Sequence, residues 1–148
     1  MALIHLIYVS SALKEQNDTE LDAILESAVR HNRLQNITGM LLYAGGNFLQ
    51  VLEGEDTDVD QIFSVIEKDP RHHGIIVLER EAIPARSFEQ WSMGFHRLNA
   101  TDVTEKPGYA PFFAQGFDAE KIGAHPGLAL EILLSFSECY DSFQLGNS

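Results

Sequence analysis

The sequence predicts an α+β protein of the ferredoxin-like class, in which two helices pack on one face of an antiparallel sheet. Apolar residues follow strand or helix spacing in the order β-α-β-β-α-β, and Gly45 and Gly46 join the middle two strand-like runs. Two right-handed crossovers place both helices on one face and make strands one and three central neighbours. A fifth strand and a C-terminal helical extension should follow, so we divide the chain into a domain over 1–98 and an extension over 99–148.

The first half of the chain alternates strand-like and helical segments. Residues 3–10 are apolar and strand-like, and Asn17 to Thr19 supply the polar residues that start helices. The helix is expected to run to about Asn32, with an apolar stripe formed by Leu21, Ile24, Leu25, Ala28 and Val29. The runs ITGMLLYA and NFLQVLEG then predict an antiparallel hairpin.

The second half predicts one more helix on the sheet and a separate helix near the C-terminus. Asp56 is predicted to cap a helix that ends at Pro70, with a buried stripe formed by Val59, Ile62, Phe63 and Ile66. The fourth strand is expected from Ile75 and the fifth from Glu89. The segment PGLALEILLSFSECY predicts a helix that covers the bare sheet face with one side and meets a partner or a second copy with the other.

Composition excludes several classes of protein. The formal net charge of −12 is spread along the chain, whereas binding to nucleic-acid phosphates needs clustered Lys and Arg. No apolar run is long enough to span a bilayer, and the N-terminus lacks the basic region of a signal peptide. The single cysteine, Cys139, excludes an internal disulfide. We therefore predict a soluble cytoplasmic protein with no nucleic-acid or membrane partner.

Gln50 is an unexpected polar residue in the third strand. Side chains alternate along a strand, so Gln50 points to the same face as Phe48 and Leu52. A buried amide without partners costs roughly 1–3 kcal/mol, so a polar group is expected beside it. Strand one places either Tyr8 and Leu6 or Ile7 and Val9 on the face of Gln50. The sequence leaves both possible, because strand one is apolar on both sides. One simple interpretation is that the Tyr8 hydroxyl and the Gln50 amide satisfy each other's hydrogen-bonding groups.

Five motifs between Met1 and Leu98 combine polar and aromatic residues with these strands. They are LIYVS around Tyr8, HN at His31 and Asn32, ITGMLLY followed by FLQVLEG, DPRHH from Asp69, and WSM from Trp91. In this order and spacing they resemble the BLUF family, the blue-light sensors that use flavin. The resemblance implies a short stand-alone member that binds FAD, or else FMN or riboflavin, between the two helices.

The resemblance also implies roles for individual residues. Tyr8 would give an electron and its phenolic proton to photoexcited flavin, and Gln50 would rotate or tautomerise, shifting absorption slightly to the red without a covalent bond. Asn32 would bind the polar edge of the ring, and Trp91 and Met93 would relay the change along the fifth strand. The implied flavin contacts are Tyr8, Ile24, His31, Asn32, Phe48, Gln50, Leu52, Ile66, Asp69, Arg71, His72 and Met93.

Two positions depart from the family pattern. Val65 stands where some relatives have arginine and Ala28 where some have serine, so flavin should be held less tightly. The adjacent His72 and His73 would point to opposite faces of an extended chain, and no Cys or carboxylate stands at the usual ligand spacing. We therefore expect no metal.

The alternative functions are an acylphosphatase-like enzyme of the same fold and a flavin-binding adaptor without photochemistry. The enzyme would need an anion-binding loop after strand one, but VSSALKEQND lacks the glycines and arginine expected there. A sensor that forms a cysteine adduct is disfavoured because Cys139 lies in the C-terminal segment. Because only a short extension follows Leu98, we expect a non-enzyme that forms a homo-oligomer and signals through a separate protein effector.

Overall fold

Eight helices and strands are present in the computed structural model among the residues it describes, which are 2–12, 18–44, 47–69, 72–88, 94–97 and 127–137. In chain order they are β1 (Leu3–Ala12), α1 (Asp18–Leu34), β2 (Thr38–Ala44), β3 (Asn47–Glu55), α2 (Asp56–Glu67), β4 (His72–Ala82), β5 (Gly94–Arg97) and α3 (Leu128–Ser137). This order confirms the predicted α+β ferredoxin-like fold with a fifth strand and a C-terminal helix. Among the described residues, no helix combines the length and the apolar composition that a membrane-spanning segment requires.

The five strands form one sheet in the order β4-β1-β3-β2-β5. The first four are antiparallel to their neighbours, and β5 is parallel to β2. β1 and β3 are therefore the central neighbours that the element order predicts. Tyr8 lies directly opposite Gln50 across these two strands, which settles the strand phase that the sequence left open.

The side of the sheet that faces α1 and α2 holds the main apolar core. It is fully or nearly fully buried, because alternate side chains of β1, β2 and β3 meet the apolar stripes of both helices. Burial of each large apolar side chain contributes roughly 1.5–3 kcal/mol. The members of this core are Ile4, Leu6, Tyr8, Val29, Ile37, Leu41, Tyr43, Phe48, Leu52, Val59 and Ile62.

The opposite face of the sheet is covered in its β2–β3–β5 part by α3. Ile132 and Leu133 of α3 have no exposed surface, whereas Leu134 is 37% exposed. The strand side chains that alternate away from α1 and α2 there are equally buried: Met40, Leu42, Leu49 and Val51. The sheet thus has apolar layers on both faces, and the polar residues within it must find partners inside.

The predicted helix cap at Asp56 is wrong. Pairing of β3 with β1 continues to Glu55, which occupies the N-cap position of α2 without a side-chain cap hydrogen bond. Asp56 is the first helical residue, and its N–H donates to the Ala2 carbonyl at 2.9 Å. The chain therefore passes from strand to helix with no intervening turn. Asp56 still favours the helix through its charge in the first turn.

Several predicted boundaries also differ. β1 extends to Ala12, and β4 begins at His72, three residues before the predicted Ile75. The difference arises because Ser11 and Ala12 pair with His73 and His72 past an irregularity in the ladder, so both strands extend together. β5 covers Gly94–Arg97, while the turn predicted at Gly45 and Gly46 and the start of the fifth strand predicted over 89–93 lie outside the described part of the chain.

Candidate functional site

A cavity of about 580 Å³ lies between α1, α2 and the sheet. This is within the range of small-molecule sites in proteins, roughly 300–1,000 Å³. Its apolar walls come from both helices and the central strands, and its polar groups converge from the same elements. The apolar lining residues are Ile24, Ala28, Leu41, Phe48, Ile62, Val65 and Ile66, and the polar ones are Tyr8, Ser27, His31, Asn32, Gln50, Lys68 and Asp69.

Helical and strand periodicity explain how these side chains converge. On α1 the lining residues have the spacing 0, 3, 4, 7, 8 from Ile24 to Asn32, which is a single helical face. Ile62 and Ile66 lie one turn apart on α2, and Phe48 and Gln50 are alternate residues of β3. The cavity is therefore built on rigid elements, which hold its polar groups in a fixed relation to each other.

Tyr8 and Gln50 form the buried polar pair at the sheet wall of the cavity. Tyr8 is 3% exposed and Gln50 is 5% exposed. The Tyr8 hydroxyl donates a hydrogen bond to Gln50 Oε1. The Phe63 ring of α2 packs against the Tyr8 ring with their centroids 5.5 Å apart, which fixes the phenol from the helix side. The amide that seemed misplaced in an apolar strand thus has a polar partner.

Burial raises the pKa of Tyr8 well above its ordinary value, and the negative charge of Asp69 adds to this effect. A phenolate in this site would lose its hydration and would lie near a carboxylate. Tyr8 therefore keeps its proton over the whole physiological range. Its hydroxyl is a constant hydrogen-bond donor toward Gln50.

Asn32 and His31 occupy the last turn of α1. Asn32 is buried, and its backbone carbonyl accepts from the backbone N–H groups of Gln35 at 3.2 Å and Ile37 at 2.8 Å. Asn36 adopts a left-handed conformation, with φ of 54°, that ends the helix. His31 is exposed, and its Nδ1 lies 2.8 Å from the Ser27 carbonyl. The helix terminus therefore fixes Asn32 at the cavity.

Most of the predicted flavin contacts lie at this cavity. Those that line it are Tyr8, Ile24, His31, Asn32, Phe48, Gln50, Ile66 and Asp69. Leu52 does not, because it points into the core next to the cavity with no exposed surface. Trp91, Met93 and Arg71 lie outside the described residues, as does the side chain of His72.

Sequence reasoning missed four lining residues. Leu41 lies directly opposite Gln50 on β2, and Ile62 lies one turn before Ile66, so strand register and helix periodicity could have found both. Ser27 shares the α1 face with Ile24. Lys68 was signalled only by its position beside Asp69. The two departures from the family pattern, Ala28 and Val65, both line the cavity.

One group of potential metal ligands exists among the described residues, on the sheet face that points away from the cavity. His5, Glu79 and Glu81 place one ligand atom each within 4.8 Å of one another. His5 Nε2 and Glu79 Oε2 are 3.1 Å apart, so these two satisfy each other as a hydrogen-bonded pair. The expectation of no metal stays a prediction.

Comparison with known proteins assigns the family. The family model described as "Sensors of blue-light using FAD", the BLUF model, matches residues 3–94. The chain therefore belongs to the BLUF family of blue-light sensors that use flavin, as the sequence motifs predicted.

Two characterised relatives show the range of the family. The chain is 35% identical over 91 residues to the blue light- and temperature-regulated antirepressor BluF of Escherichia coli (strain K12), which covers 62% of this chain and 23% of that protein. It is 34% identical over 92 residues to photoactivated adenylate cyclase subunit beta of Euglena longa, covering 62% and 11% respectively. The chain thus spans less than a quarter of these relatives.

Two solved structures resemble the chain over most of its length. The photo-activated state of BlsA superimposes with a TM-score of 0.76 at 29% identity and covers 97% of this chain and 99% of that one. The dark state of BlrB, a BLUF protein, gives a TM-score of 0.75 at 27% identity, covering 93% and 97%. The similarity to both extends beyond the sheet and its two helices.

The cavity fits a flavin in chemical terms. The ring system of a flavin is flat, with one apolar end and one edge rich in hydrogen-bonding N and C=O groups. Asn32 and Gln50 supply amides for that edge, and aliphatic residues of both helices form the walls. These residues would hold the flavin in the cavity.

Proposed function

We propose that this protein is a blue-light photosensor that binds FAD in the α1–α2 cavity and uses Tyr8 and Gln50 as its photoactive pair. The observation that carries the proposal is the buried hydrogen bond from the Tyr8 hydroxyl to Gln50 Oε1 at the cavity wall. A tyrosine can release an electron and a proton together. A glutamine amide has a donor and an acceptor on one plane. The pair thus combines a redox-active group with a switchable hydrogen-bonding group.

Bound flavin supplies absorption of blue light and, when excited, a strong demand for an electron. Tyr8 would be the donor of that electron, and because burial keeps its hydroxyl protonated, the phenolic proton would leave together with the electron. The hydrogen bond to Gln50 Oε1 would give that proton a path out of the phenol, and the flavin would receive both the electron and the proton. Gln50 then rotates or tautomerises, which changes the groups it presents to its neighbours. The electron and the proton would then return to Tyr8, while the new hydrogen bonds of Gln50 persist and store the light signal.

The other lining residues position the cofactor and exclude water. Asn32 binds the polar edge of the ring, while Ile24, Phe48 and Ile66 hold its apolar part. Lys68 and Asp69, which follow α2, supply charged groups at the cavity and would contact the polar part of the cofactor. The family description favours FAD over FMN and riboflavin. Extraction of the cofactor and chromatography against the three standards identifies which one is held.

The output is a protein contact rather than a reaction catalysed by this domain. Relatives of the chain carry names that describe an antirepressor and adenylate cyclase subunits, so BLUF domains serve both binding and enzymatic effectors. The net charge of −12 disfavours nucleic acid as the direct partner. The exposed Leu134 on α3 supports an apolar contact with a separate protein effector or a second copy in the cytoplasm.

The absorption spectrum of the purified protein tests the proposal. It is recorded in the dark, immediately after blue light, and during recovery in the dark. Flavin bands that move slightly to the red and then return support the Tyr8–Gln50 switch. Bleaching of the flavin would indicate reduction or an adduct and would contradict it. A protein that stays colourless after reconstitution with FAD would instead favour the acylphosphatase-like alternative.

A further inference from the structure

The carboxylate of Glu53 is completely buried on the sheet face opposite the cavity. Its Oε2 accepts a hydrogen bond from the backbone N–H of Ser87 at 2.6 Å, and its Oε1 accepts from the N–H of Phe88 at 2.9 Å. Thr38 on β2 donates its hydroxyl to Oε1 at 3.0 Å. Burial of a carboxylate is unfavourable unless it is fully hydrogen-bonded. Glu53 meets that need by holding the backbone of the segment between β4 and β5.

Arg86 fixes the same segment from a second direction. Its Nη1 donates to Thr38 Oγ1 and to the Glu53 carbonyl, both at 2.9 Å, and its Nη2 donates to the Asn36 carbonyl at 2.8 Å. Phe88 is 1% exposed. We call this set of contacts between Glu53, Thr38, Asn36 and residues 86–88 the Glu53 clasp.

The clasp adjoins the two amides of the cavity. Gln50 precedes Glu53 by three residues on β3, and Asn32 precedes Asn36 by one turn at the end of α1. The turn is tied to Asn32 by the hydrogen bond from the Ile37 N–H to the Asn32 carbonyl. The structure therefore links both cavity amides to residues 86–88 through backbone that belongs to the clasp.

The α1–β2 turn packs closely against β3, so neither can move far without displacing the other. A Cβ added to Gly54 would lie 2.6 Å from Ile37 Cδ1 and 3.4 Å from the Asn36 carbonyl oxygen. The strand and the turn thus touch directly beside Glu53. Packed elements transmit small displacements, because they cannot absorb them by compression.

We propose that Glu53 and Arg86 are positioning residues that couple the Tyr8–Gln50 switch to the chain entering β5. The inference rests on the proposed function. A shift of β3 or of the α1–β2 turn alters the geometry of the six charge-assisted hydrogen bonds of the clasp, three accepted by the Glu53 carboxylate and three donated by Arg86. Such bonds weaken steeply when misaligned. Because five residues separate Phe88 from Gly94, release of the clasp frees the start of the chain that leads to β5.

The test measures amide hydrogen exchange by NMR. It uses the flavin-loaded full chain in the dark and under continuous blue light. The flavin spectrum is recorded on the same sample. We expect exchange of the Ser87 and Phe88 amides to accelerate in the light by roughly tenfold or more, as when a hydrogen bond to a charged group is lost. Amides of Gly94–Arg97 should accelerate with them.

Variants separate coupling from simple stability. Glu53→Gln should keep the red shift but abolish the light dependence at Ser87, Phe88 and β5, since the amide NH2 that replaces one carboxylate oxygen is a donor and cannot accept from the N–H that it faces. Its matched control is Glu79→Gln, another carboxylate on the same sheet face, which should leave all three light responses intact.

A second variant keeps the proposal testable if Glu53→Gln does not fold. Arg86→Lys retains the charge, but a single ammonium nitrogen lacks the planar fork by which Nη1 reaches Thr38 and Glu53 while Nη2 reaches Asn36. Arg80→Lys is its control, because Arg80 makes a comparable two-nitrogen contact with Asp60 on the exposed surface. Light-dependent exchange that is lost in Arg86→Lys but kept in Arg80→Lys supports the clasp.

Two results would overturn different claims. A chain with flavin but no red shift would refute the photosensor proposal itself. A normal red shift with Ser87 and Phe88 amides that exchange equally in dark and light would refute only the clasp. The clasp is refuted as well if Glu53→Gln and Arg86→Lys fold and keep the full light response of β5.

Discussion

The Tyr8 hydroxyl donates a hydrogen bond to Gln50 Oε1 across the two central strands of the sheet, where the residues are directly paired. Both side chains are buried, and one side of the phenol is covered by Phe63. The pair forms part of the cavity wall. Because both side chains are shielded from bulk water, a group that loses its hydrogen bond must find a new partner among the groups of the site.

Replacement of Tyr8 by phenylalanine removes the proposed electron and proton donor but keeps an aromatic ring against Phe63. We expect Tyr8→Phe to retain flavin and to lose the reversible red shift. The Gln50 carbonyl also loses a buried donor, which should lower the free energy of unfolding by about 1–3 kcal/mol. Absorption spectra and urea unfolding measure both effects. Tyr43→Phe is the control, since Tyr43 is buried on the same face without lining the cavity, and a red shift lost there too would contradict the specific role of Tyr8.

Replacement of Gln50 by glutamate keeps the shape of the side chain and removes its N–H donors. We expect Gln50→Glu to bind flavin but to form no normal red-shifted state, because a carboxyl group cannot exchange an amide donor and acceptor. Light-minus-dark absorption checks this. Gln61→Glu adds the same charge at an exposed position of α2 and should behave like the wild type. A full red shift in Gln50→Glu would show that amide exchange is not the switch.

The raised pKa of Tyr8 predicts a pH dependence of stability. The folded protein holds this proton more tightly than the unfolded chain, so the stabilising contribution is complete below pH 10.0, the ordinary value, and is lost as pH rises above it. Relative to Tyr8→Phe, the wild type should lose up to about 1.4 kcal/mol per pH unit in this range. The free energy of unfolding of both proteins is measured at roughly pH 9 and pH 11. The difference between the two proteins cancels the contributions of other titrating groups. A difference that does not change with pH would contradict the burial argument.

Much of the fold could be predicted because strand alternation and helix periodicity are local signals. The phase of β1 could not, since residues on both of its faces are apolar and only the register with β3 decides between Tyr8 and Ile7. The Asp56 cap prediction failed because pairing of β3 with β1 continues to Glu55 and the helix begins directly after it, and the local sequence does not reveal this pairing.

The candidate site shows the same division. Spacing predicted the apolar stripe of α1 that includes Ile24 and Ala28, whereas the family resemblance implied the contacts of His31, Asn32 and Leu52. Leu52 shares a strand face with Gln50 but does not line the cavity, because alternation gives the face of a side chain and not its position along the strand. Glu53 resembles an ordinary surface charge near the end of a strand. Its burial depends on residues 86–88, more than thirty positions away, so no local pattern reveals the clasp.

Substitution of Gly54 by alanine should destabilise the packing between β3 and the α1–β2 turn. The new Cβ would lie 2.6 Å from Ile37 Cδ1, and Ile37 is 1% exposed, so it has little room to move. We expect a loss of about 1–3 kcal/mol in the free energy of unfolding. Ile37→Val removes the clashing methyl group, so the double variant should be more stable than the sum of the single effects predicts. Strict additivity would show that the two residues do not compete for this space.

Substitution of Val65 by arginine should tighten flavin binding. Val65 lines the cavity but is 55% exposed, so a longer cationic side chain can reach the cofactor without displacing the core. A partly exposed charged contact should lower the dissociation constant by roughly two- to tenfold. Titration of the cofactor-free protein with FAD measures this. Leu34→Arg adds the same charge to α1 at a residue that is 81% exposed and does not line the cavity. If both variants tighten binding equally, the gain comes from reducing the net charge of −12, and Val65 is not a flavin-contact position.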